Sequence, residues 1–461
     1  MRKDPQASPY RPDTPIMQIA DWLGNRVEAA SFPAHMLRWR DQRHAASVGL
    51  DGLDDAAWVQ HFGRFQPLPD NMPQPLALRY HGHQFRHYNP DLGDGRGFLF
   101  AQIRDSGGRL LDLGTKGSGT TPWSRQGDGR LTLKGAVREI LATEMLEALG
   151  ANTSKTFSVV ETGEALYRGD EPSPTRSAVL TRLSHGHIRI GSFQRLMALE
   201  EEAHLAALVD YALAQYPGPP PPADAPDAGN PAIVLLHQVV ARMADMAASY
   251  VASGFVHGVL NTDNMNITGE SFDYGPWRWL PQWDGAFTAA YFDHSGLYAF
   301  GRQGEAIRWN CGQLAIALRP MAETAPLVAA LERFEPIFQQ RLAARMLWRL
   351  GVASSGDDEA LLAPLMKALG ESGQSPDAFF HAHRGGRGLD MPVTPLPGAL
   401  DHPLWSRNAA PTNHIDEVER IWSAIDTRDD WQPLHDHIAA IRDLGQALGP
   451  APEPIGHQNN V

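Results

Sequence analysis

The segment PGPPPPADAPDAGNP, residues 217–231, divides the chain, because it can form neither a continuous helix nor a central strand. Proline lacks the amide hydrogen that both ladders require, so the segment reads as an exposed loop between two differently built parts. Before it, GFLFAQI at 97–103, KTFSVVE at 155–161 and AVLTRL at 178–183 read as strands among Gly-, Asp- and Pro-rich turns. One helix is embedded there: Val137, Ile140, Leu141, Met145, Leu146 and Leu149 recur at helical spacing, with Gly150 as the C-cap. After the loop, AIVLLHQVVARMADMAASYVASG predicts a long helix ending near Gly254, and 310–380 is mostly helical.

The expected fold class is therefore α+β, a strand-rich N-terminal lobe followed by a helical C-terminal lobe. The divisions expected are an N-terminal extension at 1–70 packed on the core, the strand-rich lobe at 71–216, the loop at 217–231, the helical lobe at 232–385 and a C-terminal extension at 386–461. The last stretch, APEPIGHQNNV, reads as a loose tail. A cleft between two such lobes is a natural place for chemistry.

Charge and cysteine content narrow the function. A formal charge of -13 argues against a general nucleic-acid binder, which carries a basic footprint. Cys311 is the only cysteine, so neither an intrachain disulfide nor a thiolate-rich metal site is available. MRKDPQASPYRPDTPIMQIADW at the N-terminus has no apolar run suited to secretion or to spanning a membrane. A cytoplasmic protein without nucleic-acid or membrane partners is expected, with a monomer as its simplest state.

Candidate chemistry concentrates in a few segments. In LGDGRGFLF, Gly93 and Gly95 let the backbone approach a phosphate and Arg96 offers a forked, permanent charge, although a tight turn before a strand explains the same residues. Lys116 precedes a Gly-Ser-Gly turn, outside any Walker A pattern, and Asp128, Gly129 and Arg130 form a second turn-like cluster. Glu139, on the embedded helix, is either a surface carboxylate or the partner that aims Lys116 at phosphate. Arg182 and Arg189 are candidates for polyphosphate contacts, while His185 and His187 without an acidic neighbour make a weak case for zinc.

The strongest signal is HGVLNTDNMNITGESFDYGP at 257–276. Asn264 and Asp273 present the oxygen ligands that Mg²⁺ takes while keeping water and phosphate in its shell. The residues between them permit a short strand–turn–strand path. A kinase-type loop places an acidic base two residues after the His, and here that residue is Val259. Asp263 is the one side chain in this loop able to replace it.

In combination, HGHQF at 81–85, LGDGR at 92–96, KGSGTTPWSRQGDGR at 116–130, VRE at 137–139, TRL at 181–183, HIRIG at 187–191, HGVLNTDNM at 257–265 and DYGP at 273–276 resemble the SelO family. Those proteins are adenylyltransferases with a protein-kinase-like fold. The resemblance implies transfer of AMP from ATP to Ser, Thr or Tyr hydroxyls of proteins, with ATP held in the reverse sense to a kinase. It implies nucleotide contacts by Gly93, Gly95, Arg96, Lys116, Asp128, Gly129, Arg182 and Arg189, and a supporting Lys116–Glu139 ion pair. It also implies Asn264 and Asp273 as ligands of Mg²⁺, or Mn²⁺ in its place, and Asp263 as proton acceptor. Arg86 stands where the family commonly has Gly, Gly186 where Ser is common, and the family's C-terminal cysteine motif is missing. A kinase transferring the γ-phosphate and an ATP-binding pseudokinase scaffold remain as alternative readings.

Overall fold

Antiparallel pairing builds the N-terminal half of the chain. In order, its strands are β1 (Gly24–Arg26), β2 (Met36–Arg40), β3 (Leu76–Leu78), β4 (Gly82–Gln84), β5 (His87–Asn89), β6 (Leu99–Arg104), β7 (Leu110–Lys116), β8 (Leu131–Thr132), β9 (Lys155–Leu166) and β10 (Thr175–Ser184). The main sheet runs β1-β3-β6-β7-β10-β9-β2, with β8 beside β10, while β4 and β5 form a separate hairpin. The computed structural model describes residues 9–456 apart from Asp170 and Ser355. Residues 1–8 of the expected N-terminal extension and 457–461 of the expected loose tail thus lie outside the described residues.

Strand β7 is buried along its whole length because both faces of the sheet are covered. Leu110 packs into a core shared with the helices, whereas Leu111 and Leu113 point into a second core with Trp58, Phe62 and Phe157. That two-sided burial explains why LLDLGT lacks a clean polar–apolar alternation. Residues 1–70, expected as an extension packed on the core, supply the strands β1 and β2 of the main sheet. GNR is too short and MLRWR too basic to show strand periodicity, and their pairing with β3 and β9 decides their conformation.

The embedded helix, α1, spans Leu133–Ala148. The Thr132 hydroxyl caps it by accepting from Gly135 N at 3.1 Å. It lies against β9 and β10 on one side and the helix Gln432–Leu448 on the other. This double covering buries Glu139 to 1% exposure, far from a surface carboxylate.

The helical half begins with α2, Pro231–Ser253. Asn230 caps Ala232 N, Pro231 opens the first turn, and Gly254 closes the helix in the left-handed region at φ 66°. Among the described residues α2 is the one helix long and apolar enough to cross a membrane, and 94% of its apolar window is buried inside the protein. Its Asp245 accepts from Arg345 at 2.8 Å on the helix α3, Phe334–Leu350, and Arg345 also donates to Gly150 O just past α1. The end of the helix bearing Glu139 is thereby tied to the helical half. The architecture is mixed α+β, sheet-rich at the N-terminal side and helical after it.

Candidate active site

A cleft of about 700 Å³ gathers the end of β7, the loops at 92–97 and 123–130, and the loop that follows α2. Gly93, Gly95, Arg96, Lys116, Asp128, Gly129, Arg182, Arg189, Asp263, Asn264 and Asp273 all line it. Glu139 stands behind the wall and bonds Lys116 Nζ through Oε1. The path from Asn264 to Asp273 contains no strand pair; isolated bridges from Asn266 to Arg189 and from Ser271 to Thr153 hold it instead. These residues pair with separate partners, which keeps the path from folding back as a hairpin.

Lys116 is the electrostatic centre. Its ammonium lies between buried Glu139 and Asp273 Oδ1, the latter at 2.8 Å. Burial alone would raise the Asp273 carboxyl, but Lys116, Arg182, Arg189 and Arg96 overcome that and hold it well below the usual carboxylate range. Asp273 also occupies the left-handed region at φ 60°, which aspartate tolerates better than most residues. Its side chain keeps 27% exposure toward the cleft.

The arginines differ in what engages them. Arg189 donates to Asp263 O at 2.8 Å and Asp94 Oδ1 at 3.0 Å, with its guanidinium over the Tyr80 ring. Arg182 Nε and Nη1 are buried without a hydrogen-bond partner, 3.9 Å separating Nη1 from Asp273. Unsatisfied guanidinium atoms in a cleft wall suit an anionic ligand, since burying them otherwise costs free energy. Asp128 sits at the rim, where Arg168 pairs with it at 2.8 Å.

Asn264 donates through Nδ2 to Val259 O at 3.0 Å, leaving its amide oxygen for a cation. Residue 259, the usual place of a kinase base, thus contributes a carbonyl that orients the amide. His257 is buried, bound through Nε2 to Phe272 O at 3.1 Å, and burial lowers its pKa, so it supports the loop as a neutral imidazole. Asp263 is 8% exposed, its Oδ1 has no hydrogen-bond partner, and burial pushes its carboxyl up to about 6.

The glycines act through packing. A Cβ on Gly93 would lie 2.3 Å from the Trp123 ring, and one on Gly95 would lie 2.9 Å from Trp123 O. Trp123 therefore fills the space beside the loop. Gly93→Ala is expected to displace that ring, at an overpacking cost of about 1–3 kcal/mol, and weaken nucleotide binding about tenfold. Titration of Trp fluorescence with ATP checks this; unchanged affinity would separate the loop from the nucleotide.

A family model for protein adenylyltransferase SelO matches residues 13–385. The chain belongs to the SelO family. A Synechocystis relative, protein nucleotidyltransferase YdiU, is 41% identical over 91% of this chain and 96% of its own length. The protein of the same name from Gloeobacter violaceus is 42% identical over 92% and 93%, respectively. A third, from Synechococcus elongatus, is 47% identical over 74% of this chain and 68% of its own.

In this SelO chain several cleft residues escaped sequence reasoning. Asp94 accepts from Leu78 N and Arg189, fixing the glycine loop to β3 and to the arginine. Gln84 donates to Asp263 Oδ2 at 3.4 Å, and the hairpin carrying it binds the loop after α2 through His83 N to Thr262 Oγ1 and Phe85 N to Asn261 Oδ1. An acid inside GDGR was the one available signal for Asp94. HGHQF marked Gln84 only as part of the family resemblance and gave it no role, since its partner is 179 residues away.

Proposed function

We propose that this SelO protein has a kinase-like two-lobed architecture and transfers AMP from ATP to Ser, Thr or Tyr hydroxyls of proteins, releasing pyrophosphate. The observation that carries the reading is a buried carboxylate at Asp263 whose Oδ1 has no hydrogen-bond partner, in the same cleft as Asn264 and Asp273, with valine at 259. The donor set fits the ligands: an amide oxygen and a carboxylate are hard donors suited to Mg²⁺ or Mn²⁺, and the arginine wall suits polyphosphate. A bound divalent ion would neutralise charge on the phosphate oxygens and on the departing pyrophosphate.

Lys116, positioned by Glu139, presents its ammonium to phosphate, and Arg182 and Arg189 add fixed positive charge. The acceptor hydroxyl attacks the α-phosphorus as Asp263 takes its proton. Desolvation raises the affinity of this carboxylate for a proton, which suits a base working near neutrality. Asn264 and Asp273 would hold the metal, and Asp94 and Gln84 hold Arg189 and Asp263 in place.

Below a pH of about 6 Asp263 is protonated and cannot accept a proton, so kcat/KM should rise about tenfold per pH unit there and level off above. Asp263→Asn should lower the rate by about 10²–10⁴-fold and remove this limb. An unchanged pH profile in that variant would exclude Asp263 as the base. Product analysis tests the reaction itself: pyrophosphate and an adenylylated acceptor are expected, whereas ADP and a phosphorylated acceptor would indicate a kinase.

A further inference from the structure

A second cavity lies elsewhere, at about 840 Å³, and shares no lining residue with the catalytic cleft. Its walls come from the β6–β7 turn, the Pro-rich loop, α2, the start of α3 and residues 453–456. Arg104, Arg109, Arg333 and Arg341 line it, against Glu453 as the single acidic lining residue. Arg104 and Arg109 are matched by Asp13 and Asp105. Asp245 serves both Arg341 and Arg345, so that with Glu453 included Arg104, Arg109, Arg341 and Arg345 face four carboxylates.

Two further cations have no carboxylate partner among the described residues. Arg333 is exposed at the cavity mouth. Arg242 is only 3% exposed and donates through Nη2 to the carbonyls of Tyr216 and Pro217, while its Nη1 has no partner. Its guanidinium lies under the cavity floor: a Cβ on Gly218 or Gly456, both lining residues, would come within 2.8 Å or 2.7 Å of it. Burial without a counter-charge pushes the Arg242 pKa down to about 10, so it stays charged at neutral pH. A buried cation of this kind is costly unless an anion approaches it.

The imidazoles contribute no charge. Burial lowers His185 to about 3, and burial together with Arg333 lowers His237, so both line the cavity as neutral rings. Pro219, Pro220 and Ile337 complete a rigid, partly apolar wall. Cationic groups together with apolar rings suit a small organic anion, and the volume falls within the range of small-molecule sites.

We infer that this cavity is a second ligand site, which takes a small phosphate monoester by its phosphate group. The inference stands apart from the transfer reaction proposed above. The test is equilibrium dialysis of labelled AMP against the full chain, repeated with Lys116→Met/Glu139→Gln to weaken phosphate binding in the cleft. Saturable binding should persist in that double variant. Adding Arg333→Glu, an exposed change that leaves the packing intact, should weaken it at least tenfold. Loss of all saturable binding in the double variant, or an affinity unmoved by Arg333→Glu, would overturn the assignment.

Discussion

Asp273→Asn is expected to abolish transfer, lowering the rate by about a thousandfold or more, equivalent to about 4 kcal/mol of transition-state stabilisation. The substitution keeps the side-chain shape and the tolerance for the left-handed backbone at φ 60°, so it isolates the charge. That charge faces Lys116 at 2.8 Å in the cleft that Asn264 also lines, where the proposed reaction needs a divalent ion. Stability changes too, in a direction fixed by linkage. The native carboxyl lies well below its usual range, so its stabilising effect is complete above the unfolded value of about 4 and fades as pH falls below it. Thermal melts of both proteins at pH 7 and near pH 3 should therefore converge at the lower pH. Full activity in the variant would remove Asp273 from the metal site.

Lys116→Met carries the second large effect, on both folding and activity. It strands Glu139, at 1% exposure, without its cation, and breaking a buried pair in this way costs about 3–5 kcal/mol. Adding Glu139→Gln removes the stranded charge and should restore most of the stability. Activity should stay down about a hundredfold or more, because the ammonium that meets phosphate is still missing. Chemical denaturation of both single variants and the double variant measures the coupling, and transfer assays on the same samples separate it from catalysis. Recovery of transfer in the double variant would mean that Lys116 serves folding alone.

Much of this arrangement was legible from residue order. Lys116 ends a buried strand and Glu139 falls on a helix marked by its apolar spacing, so local pattern supplied both residues, while their contact depends on the packing of that helix on the neighbouring strands β9 and β10. The loop at 257–276 could be read because Asn264 and Asp273 lie close in sequence and carry the right oxygen donors. The supporting contacts were hidden. Gln84 and Asp263 meet only because the β4–β5 hairpin folds onto the loop after α2. Trp123 could not be foreseen as the reason for Gly93, since two loops define that space jointly. The strands β1 and β2 escaped for a related reason: three and five residues with charged members have no periodicity, and sheet neighbours decide their conformation.

The second cavity illustrates the same limit. Arg242 lies on a helix pattern that reads as core, and nothing around it in sequence shows that its guanidinium will have carbonyl partners only. The Pro-rich loop was legible as a divider, yet its part in walling a cavity depends on the turn between β6 and β7 and on residues 453–456.

The most direct measurement of the central claim is transfer of label to acceptor proteins from ATP labelled at either the α- or the γ-phosphate, with Mg²⁺ or Mn²⁺ supplied and Asp273→Asn as control. Covalent label from the α-phosphate alone, lost in the variant, is the result expected of an adenylyltransferase. Label from the γ-phosphate alone would contradict it and make the same cleft a kinase site.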